Sequence, residues 1–538
     1  MIEANGADMS ITLMNKPQDT SLAEGLAAIV GGENVLTDEA ERRYAGTDVF
    51  SDGAMPAAVI RPASVEEIQA VVRLCAERGL PLTVRGGGAS YTGGYLHTAP
   101  GGVTIDTRRF DQILEINETN GYVTVQAGCR WAALHEALAE RGLRTPFFGP
   151  FSGLVATVGG SMSQHAVSHG TGAFGVSAQS LLTIEVVTGT GERLATGSAG
   201  SSVARPFFRH YGPDLTGLFA GDCGALGIKA HITLPLIRRR PAFDGVSFAF
   251  ERFADLHAGM RDAAQEQLDD VNFGLDGTLQ RGQLGQRQST SAKLGIAKTV
   301  FQSAETAVEG VKRVAKMAIA GERDLRETPY VAHYIVEGVN SADVEARRRK
   351  LAAVLGRHGR PIANSVPLAV RGMPFSPLTN VLGPQGERWV PMHGLFAHDA
   401  VEPFHDALQD YWRETTALRE RYNITAGGMF MSVGPSAYLY EPAFYWPDAR
   451  TVYHEREVPA RYLQKVTAFE PQVGAVDAMA KIREDIIELM RQHGAAHLQA
   501  GKVYPYLAGR NAASVTLLKA IKAELDPYGI LNPGALSL

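Results

Sequence analysis

Up to about residue 240, short stretches with the hydrophobic and polar pattern of β-strands alternate with stretches whose apolar residues recur at helical spacing. A capping box at residues 64–67 predicts the start of a helix whose apolar positions recur at helical spacing until Gly79. Strands are predicted over 80–84, 103–106, 122–125 and 181–188, and a helix is predicted over 131–141. This alternation indicates a first unit that mixes helices with a sheet.

The pattern changes after the basic segment 238–241, where longer helical stretches begin. Helices are predicted over 304–320 and 342–356, strands over 330–337 and 428–433, and a helix followed by a turn over 511–538. Residues 277–300 are rich in Gln, Ser, Thr and Gly, which is typical of an exposed loop. A second α+β unit is therefore expected beyond residue 240.

Length and charge exclude several classes of protein. A chain of 538 residues exceeds one compact core, and 45% hydrophobic with 20% charged residues is typical of globular domains. The net charge of -5 gives no broad footprint for nucleic acid. No apolar run approaches the ~20 residues of a membrane span. The first 20 residues do not resemble a secretory signal. A cytoplasmic multidomain protein without a membrane span or nucleic-acid partner is expected.

Glycine clusters mark the candidate ligand loops. Residues 170–175 match G-x-G-x-x-G, but a strand follows them instead of the helix that a dinucleotide site needs. Residues 85–94 follow a predicted strand directly and contain three consecutive glycines. Such a loop can point several backbone N–H groups at an anion, and Ser90 can add a hydroxyl. A glycine-rich hairpin without a ligand is the alternative.

Histidines, cysteines and aromatic residues offer weaker signals. Three scattered cysteines do not suggest a thiolate metal site. The pairs His165/His169 and His493/His497 have the spacing of a shared helix face but lack the H-E-x-x-H glutamate, so no metal is predicted. His393, near Trp389, is a candidate base, with a structural histidine as the alternative. The aromatic stretch 438–446 suits either an aromatic substrate or a core strand.

Four segments together resemble the flavoprotein family typified by vanillyl-alcohol oxidase and p-cresol methylhydroxylase. They are residues 61–88, 157–189, 214–228 and the ending Leu-Asp-Pro-Tyr-Gly-Ile-Leu-Asn-Pro-Gly at 525–534. The resemblance implies an α+β fold with a two-subdomain FAD-binding domain of the p-cresol methylhydroxylase type and an α+β cap. The expected bounds are 1–54 for an N-terminal segment, 55–240 for the FAD domain, 241–500 for the cap and 501–538 for a segment that returns to the FAD domain.

The resemblance implies FAD as cofactor. The residues that would bind it are Arg85, Gly86, Gly87, Gly88, Ala89, Ser90, Thr157, Val158, Gly159, Gly160, Ser163, Gly170, Gly175, Gly224, Gly227 and Ile228. Non-covalent FAD is expected, because Ala89 stands where a tethering His would be and residues 150–180 lack a cysteine. Arg388 occupies the nearest tether position in the cap, and a protonated guanidinium is no nucleophile. A slip of the cap alignment would make His393 the tether.

The same resemblance implies hydride transfer from a benzylic C–H or alcohol of a p-substituted phenolic substrate to flavin N5. Tyr91 would hold the phenol. An ungapped alignment puts Leu498 and Gln499 at the family's C-terminal Tyr-Arg pair, whereas a short shift offers Tyr504 with Lys502 or Arg510. Val176 follows Gly175 where the family has an acid near N5.

Two other functions stay open at this point. A lactate- or glycolate-type 2-hydroxyacid dehydrogenase is one, although its His-Gly-Ile-Gly segment is absent. An inactive flavin-fold scaffold subunit is the other. The sequence leaves the electron acceptor open between oxygen, a cytochrome and a quinone, and it also leaves a homodimer open.

Overall fold

The computed structural model describes residues 21–285 and 328–538, so the helix predicted over 304–320 lies outside the described residues. The strands are Val35–Leu36 (β1), Ala58–Ile60 (β2), Leu82–Arg85 (β3), Val103–Asp106 (β4), Ile113–Asn117 (β5), Tyr122–Gln126 (β6), Leu143–Arg144 (β7), Thr183–Val187 (β8), Arg193–Ala195 (β9), Ile228–Pro235 (β10), Ile237–Arg238 (β11), Ala242–Phe250 (β12), Val271–Asp276 (β13), Tyr330–Gly338 (β14), Arg360–Pro361 (β15), Arg388–Pro391 (β16), Gly394–Phe396 (β17), Thr425–Val433 (β18) and Ala437–Trp446 (β19).

The α-helices are Leu22–Val30 (α1), Glu39–Ala45 (α2), Val65–Arg78 (α3), Trp131–Ala139 (α4), Val158–Gln164 (α5), Thr171–Phe174 (α6), Leu215–Leu218 (α7), Phe253–Gln265 (α8), Gly277–Gly285 (α9), Ser341–Leu355 (α10), Ser365–Gly372 (α11), His398–Glu414 (α12), Thr416–Arg421 (α13), Val452–Glu457 (α14), Ala460–Leu463 (α15), Ala475–Gln492 (α16) and Ala512–Leu525 (α17). Every helix in this described part is too short or too polar to span a bilayer.

Two main sheets and a two-stranded ribbon of β7 and β11 form the first half of the molecule. The smaller one has the order β1-β2-β4-β3, with β2, β4 and β3 parallel, and the larger one is antiparallel in the order β5-β6-β10-β8-β9. Helix α3 packs its apolar face into their shared core. The predicted capping box is present in part, since Ser64 Oγ accepts the N–H of Glu67 at 3.1 Å, and the helix ends at Gly79 with φ of 63°.

The second half is built on one large antiparallel sheet. Its order is β15-β12-β14-β13-β18-β19-β16, and β17 pairs with β19 beside β16. The predicted boundary near residue 240 falls between β11 and β12. One face of the sheet packs on α8, α12 and α16 through a core that includes Phe253, Phe444 and Trp446. The other face points towards the first half of the molecule.

The chain returns to the first half at its end. The N–H of Leu82 donates to Ile530 O at 2.7 Å, and the N–H of Asn532 donates to Leu82 O at 2.8 Å, so the tail extends the edge of β3. Helix α17 and the turn that follows it agree with the prediction for 511–538.

The loop predicted over 277–300 is wrong at its start, because residues 277–285 form α9. Asp276 Oδ1 accepts the N–H of Leu279 at 2.8 Å, which supplies the hydrogen bond that starts the helix. Leu279 is then buried against β13 and β18. The remaining residues of that prediction, 286–300, lie outside the described chain.

Candidate functional site

A cavity of about 1610 Å³ lies between the glycine-rich first half and the large sheet. Its volume exceeds the ~300–1,000 Å³ of an ordinary small-molecule pocket, so it has room for a dinucleotide together with a substrate. One wall is made of residues from the segments 86–91, 156–167 and 223–229, and the opposite wall includes side chains of β13, β18 and β19.

The loop after β3 forms the cradle of the first wall. The backbone N–H groups of Gly87, Gly88 and Ala89 donate to no acceptor within the described residues. A Cβ on Gly87 would lie 1.8 Å from Val155 O, so only glycine lets the loop approach the segment before α5. Unpaired backbone donors along a cavity wall are the chemistry that binds a pyrophosphate. The residues present therefore fit FAD.

Most of the predicted FAD residues line this cavity. They are Gly86, Gly87, Gly88, Ala89, Ser90, Thr157, Gly159, Gly160, Ser163, Gly224, Gly227 and Ile228. Thr157 also accepts the N–H of Gly160 at 3.1 Å and so begins α5, which keeps the helix's first turn against the cavity.

Four of the predicted FAD residues make protein contacts instead. The buried Arg85 pairs with Glu457 at 3.0 Å and supports the loop from below. Val158 is buried in the core. A Cβ on Gly170 would lie 2.3 Å from Pro146 O, and one on Gly175 would clash with Gln179. None of the four is among the described residues that line the cavity.

The large sheet presents alternate residues to the cavity. Leu275, Met429 and Glu441 are opposite one another on β13, β18 and β19, and Tyr445 is opposite Trp389 on β16. All five line the cavity. The residues between them on β19, such as Tyr440 and Phe444, point into the core. The aromatic stretch 438–446 thus contributes to the core on one face and to the cavity wall on the other.

Glu441 is the one acidic side chain among the described residues that line the cavity. Its carboxyl makes no hydrogen bond or ion pair with another described residue. Burial raises its pKa to about 8. At pH 7 about one tenth of the molecules then carry a carboxylate. A carboxyl group that titrates this close to neutral pH is suited to accept a proton under those conditions. Sequence reasoning missed it, although a single acid within an apolar strand is a readable signal.

Tyr91 faces the cavity beside this carboxyl. Its ring meets that of Trp389 edge-on at 5.9 Å. Burial raises the pKa of its phenol well above the ordinary value, and the nearby Glu441 raises it further, whereas Gln499 and Arg483 act in the opposite direction. Tyr91 therefore stays protonated and is a hydrogen-bond donor.

Gln499 and Arg483 belong to the surroundings of Tyr91. Gln499, at the position that the ungapped alignment gave to the family's Tyr-Arg pair, lines the cavity. Arg483 is buried on α16 and donates to Tyr91 O at 2.9 Å. A guanidinium thus contacts the backbone of Tyr91, but it belongs to α16, which contains none of the residues that the sequence predicted as the cation of this site.

The three other predicted catalytic residues are adjacent to the site but do not line the cavity among its described residues. Tyr504 accepts the N–H of His393 at 2.9 Å and stacks on His497 at 4.0 Å. Lys502 binds Leu96 O and Asn532 Oδ1, which ties the tail to the glycine loop. Burial lowers its pKa to about 8.

His393 is buried, and its ring lies 6.4 Å from that of Tyr91. Its Nε2 contacts Leu498 O at 2.6 Å, which assigns the proton to Nε2 because a carbonyl can only accept. Burial lowers its pKa to about 4, so the ring is neutral. Its Nδ1 has no partner within the described chain.

The histidine pairs do not share helix faces, because α5 ends at Gln164 and α16 ends at Gln492. Within residues 21–285 and 328–538, no group of three or more His, Cys, Asp or Glu side chains is arranged to hold a metal. Val176 packs against a small apolar cluster with Met431 and Leu439. An apolar side chain that packs in this cluster thus stands where the resembled family has an acid.

Comparison with known proteins identifies the domain that carries the cradle. Residues 56–197 match the FAD binding domain family. An uncharacterized FAD-linked oxidoreductase of Mycobacterium tuberculosis is 28% identical over 60% of this chain and 70% of its own. Glycolate oxidase subunit GlcD of Bacillus subtilis is 28% identical over 95% of this chain and 96% of its own.

The fold has a solved counterpart. A crystal structure of p-cresol methylhydroxylase with substrate bound superposes with a TM-score of 0.68 at 17% identity, covering 96% of each chain. The two-part architecture, with a glycine-rich half facing a large antiparallel sheet, is therefore that of the p-cresol methylhydroxylase fold.

Proposed function

Since the chain is an FAD-dependent oxidoreductase with an FAD-binding domain of the p-cresol methylhydroxylase type that acts on CH or CH–OH groups, we propose that it oxidises the benzylic C–H or alcohol of a p-substituted phenolic substrate. One observation carries the proposal. The cavity wall opposite the FAD cradle combines aromatic side chains with a single half-buried carboxyl, Glu441. An aromatic ring fits such a wall, and the carboxyl can accept the proton that the substrate releases.

When bound, FAD accepts the hydride that leaves the substrate carbon. An alcohol that loses a hydride from carbon must also lose the proton from its oxygen, so a base is needed for the charges to balance. The Glu441 carboxylate would take that proton. Tyr91, held protonated by burial, would donate a hydrogen bond to the phenolic oxygen and so favour its anionic form. Gln499 would add a second polar contact at the same wall.

The aromatic wall also keeps water away from the reacting carbon. Trp389 and Tyr91 meet edge-on, and Tyr445 lies opposite Trp389 on the neighbouring strand. In such surroundings a hydrogen bond to a developing charge is stronger than in water. The residues of the cap would therefore contribute orientation and charge stabilisation.

A 2-hydroxyacid is the second candidate, and the glycolate oxidase subunit among the relatives favours it. Its carboxylate would need a cation inside the cavity. The lysine and arginine residues among the described lining are Lys229, Arg461 and Lys465, and the lining residue His333 is kept neutral because burial lowers its pKa to about 3. Lys229 is buried against Asp222, and the other two are exposed. The described interior therefore suits an aromatic ring better than a small hydroxyacid.

A substrate panel tests the proposal. The purified yellow protein is mixed without oxygen with 4-hydroxybenzyl alcohol, 4-ethylphenol, glycolate or D-lactate, and the flavin absorbance is followed. Bleaching by the two aromatic compounds is expected. Bleaching by glycolate or D-lactate alone would replace the proposal with the second candidate, and a flavin that no compound bleaches would support the scaffold alternative.

A further inference from the structure

A short segment at the opening of the cavity carries two exposed cations. Pro459, Arg461, Tyr462, Lys465 and Val466 line the cavity, and we call them the mouth. The side chains of Arg461 and Lys465 are exposed, so the mouth is where the cavity meets solvent. The two cations are four residues apart around helix α15.

The mouth is held in place by its neighbours. The Arg450 guanidinium donates to Leu463 O at 3.0 Å, to Val466 O at 3.1 Å and to Thr467 O at 3.1 Å. The N–H of Thr467 donates to Gln385 O at 2.7 Å. This anchoring uses the backbone of the segment and leaves the side chains of Arg461 and Lys465 available.

Neither cation is neutralised within the described chain. Arg461 and Lys465 form no ion pair with a described carboxylate. Between them, the Tyr462 hydroxyl is buried and has no hydrogen-bond partner among the described residues. Glu387 is close enough to affect Tyr462, but its carboxylate accepts the N–H of Gln385 at 2.8 Å. The net charge of the chain is -5, which would repel anions. The positive charge at the mouth is therefore a local feature that differs from the chain as a whole.

We propose that the mouth binds a carboxylate at the far end of the aromatic substrate, so that the substrate is a p-hydroxyphenyl compound whose side chain ends in an anion. The inference rests on the proposed function, because it assumes that the ring lies against the aromatic wall. Arg461 and Lys465 would then select acids over neutral analogues. They touch the substrate's tail, whereas Glu441 serves the reacting carbon and Tyr91 the phenolic oxygen. FAD's own phosphates are the other anion that this mouth could meet.

The test compares 3-(4-hydroxyphenyl)propanoate with its methyl ester, which differs in the charge of the tail. Each is mixed rapidly with the FAD-loaded enzyme without oxygen, and its dissociation constant is read from the shift in flavin absorbance that precedes reduction. We expect the acid to bind about three- to tenfold more tightly than the ester, because exposed charge pairs are individually weak. The preference should shrink as salt is added.

Variants assign the preference to the mouth. The double variant Arg461→Gln/Lys465→Gln should lose the preference for the acid and leave the ester's dissociation constant unchanged. The double variant Arg43→Gln/Lys519→Gln removes two charges at exposed positions that do not line the cavity, and it should keep the preference. Equal binding of acid and ester by the wild type would overturn the inference. So would a mouth variant that keeps the preference.

Two further readouts separate the possible failures. A mouth variant that releases FAD more readily but keeps the acid-to-ester ratio would assign the cations to the FAD phosphates and overturn the inference. A wild type that prefers the acid, yet whose flavin is reduced by neither compound, would sustain the mouth and contradict the proposed function. Reduction of the flavin by both compounds without a binding preference for the acid would support the proposed function and overturn the inference about the mouth.

Discussion

Replacing Glu441 with Gln removes the one cavity carboxyl of the described lining while keeping its shape. The raised pKa of about 8 means that about one tenth of the wild type carries a carboxylate at pH 7 and about nine tenths at pH 9. The rate of flavin reduction by 4-hydroxybenzyl alcohol should therefore rise about tenfold over this interval. A glutamine cannot accept the proton, so the variant should be about a hundredfold or more slower at pH 9, and its rate should not follow this titration.

Stopped-flow reduction without oxygen at saturating substrate measures these rates. The phenol of the substrate titrates near pH ~10, two units above the carboxyl, so the two steps separate. Glu387→Gln is the matched control, because it makes the same change at a carboxyl that does not line the cavity. A Glu441→Gln variant that keeps both the wild-type rate at pH 9 and the step near pH 8 would refute the assignment of the base.

The same pKa makes a prediction about stability. Glu441 is protonated to a higher pH in the folded state than in the unfolded chain, where a glutamate titrates near ~4.3. The contribution of this side chain to the free energy of folding is therefore most favourable below pH ~4.3. It is lost progressively as the pH rises to about 8. Relative to Glu441→Gln, the melting temperature of the wild type should fall progressively between pH 5 and 8. Parallel melting curves across this range would show that the carboxyl is not buried.

Three further predictions concern the rest of the site. Tyr91→Phe should lower the reduction rate about tenfold or more, since a hydrogen bond to a charged group contributes about 1.5–3 kcal/mol; an unchanged rate would make Tyr91 a packing residue. Gly87→Val should yield protein without yellow colour, because even its Cβ would lie 1.8 Å from Val155 O and force the cradle apart; full flavin content would contradict that role. Acid precipitation should release free FAD into the supernatant, in line with a buried Arg388 that pairs with Asp448 at 3.7 Å; flavin retained in the pellet would show a covalent bond.

Local patterns predicted the elements that frame the site. The capping box at Ser64 and the strand before Gly86 both depend on near neighbours in the sequence, which is why a single chain reveals them. Glycine spacing was less informative. Gly170 and Gly175 fit the motif for close approach to a ligand, yet the groups that approach them are Pro146 O and Gln179. A glycine indicates that another group approaches the backbone closely, but only the fold identifies that group.

The chemistry of the cavity depends on contacts between distant segments. Arg483 reaches Tyr91 across 392 residues of sequence, and Lys502 contacts Leu96, just after the loop that the sequence placed near the substrate. The hydrogen bonds of Lys502 tie the tail to that loop, which its charge alone could not reveal. Glu441 was readable as an acid within an aromatic strand, but its position across the cavity from the FAD cradle required the fold.

The most direct test of the account is one turnover without oxygen at pH 8. The FAD-loaded enzyme is mixed with an excess of 4-hydroxybenzyl alcohol, and both the flavin absorbance and the products are measured. The account predicts that the flavin bleaches and that one equivalent of 4-hydroxybenzaldehyde forms for each flavin reduced. A flavin that stays oxidised with this alcohol but bleaches with glycolate or D-lactate would contradict it.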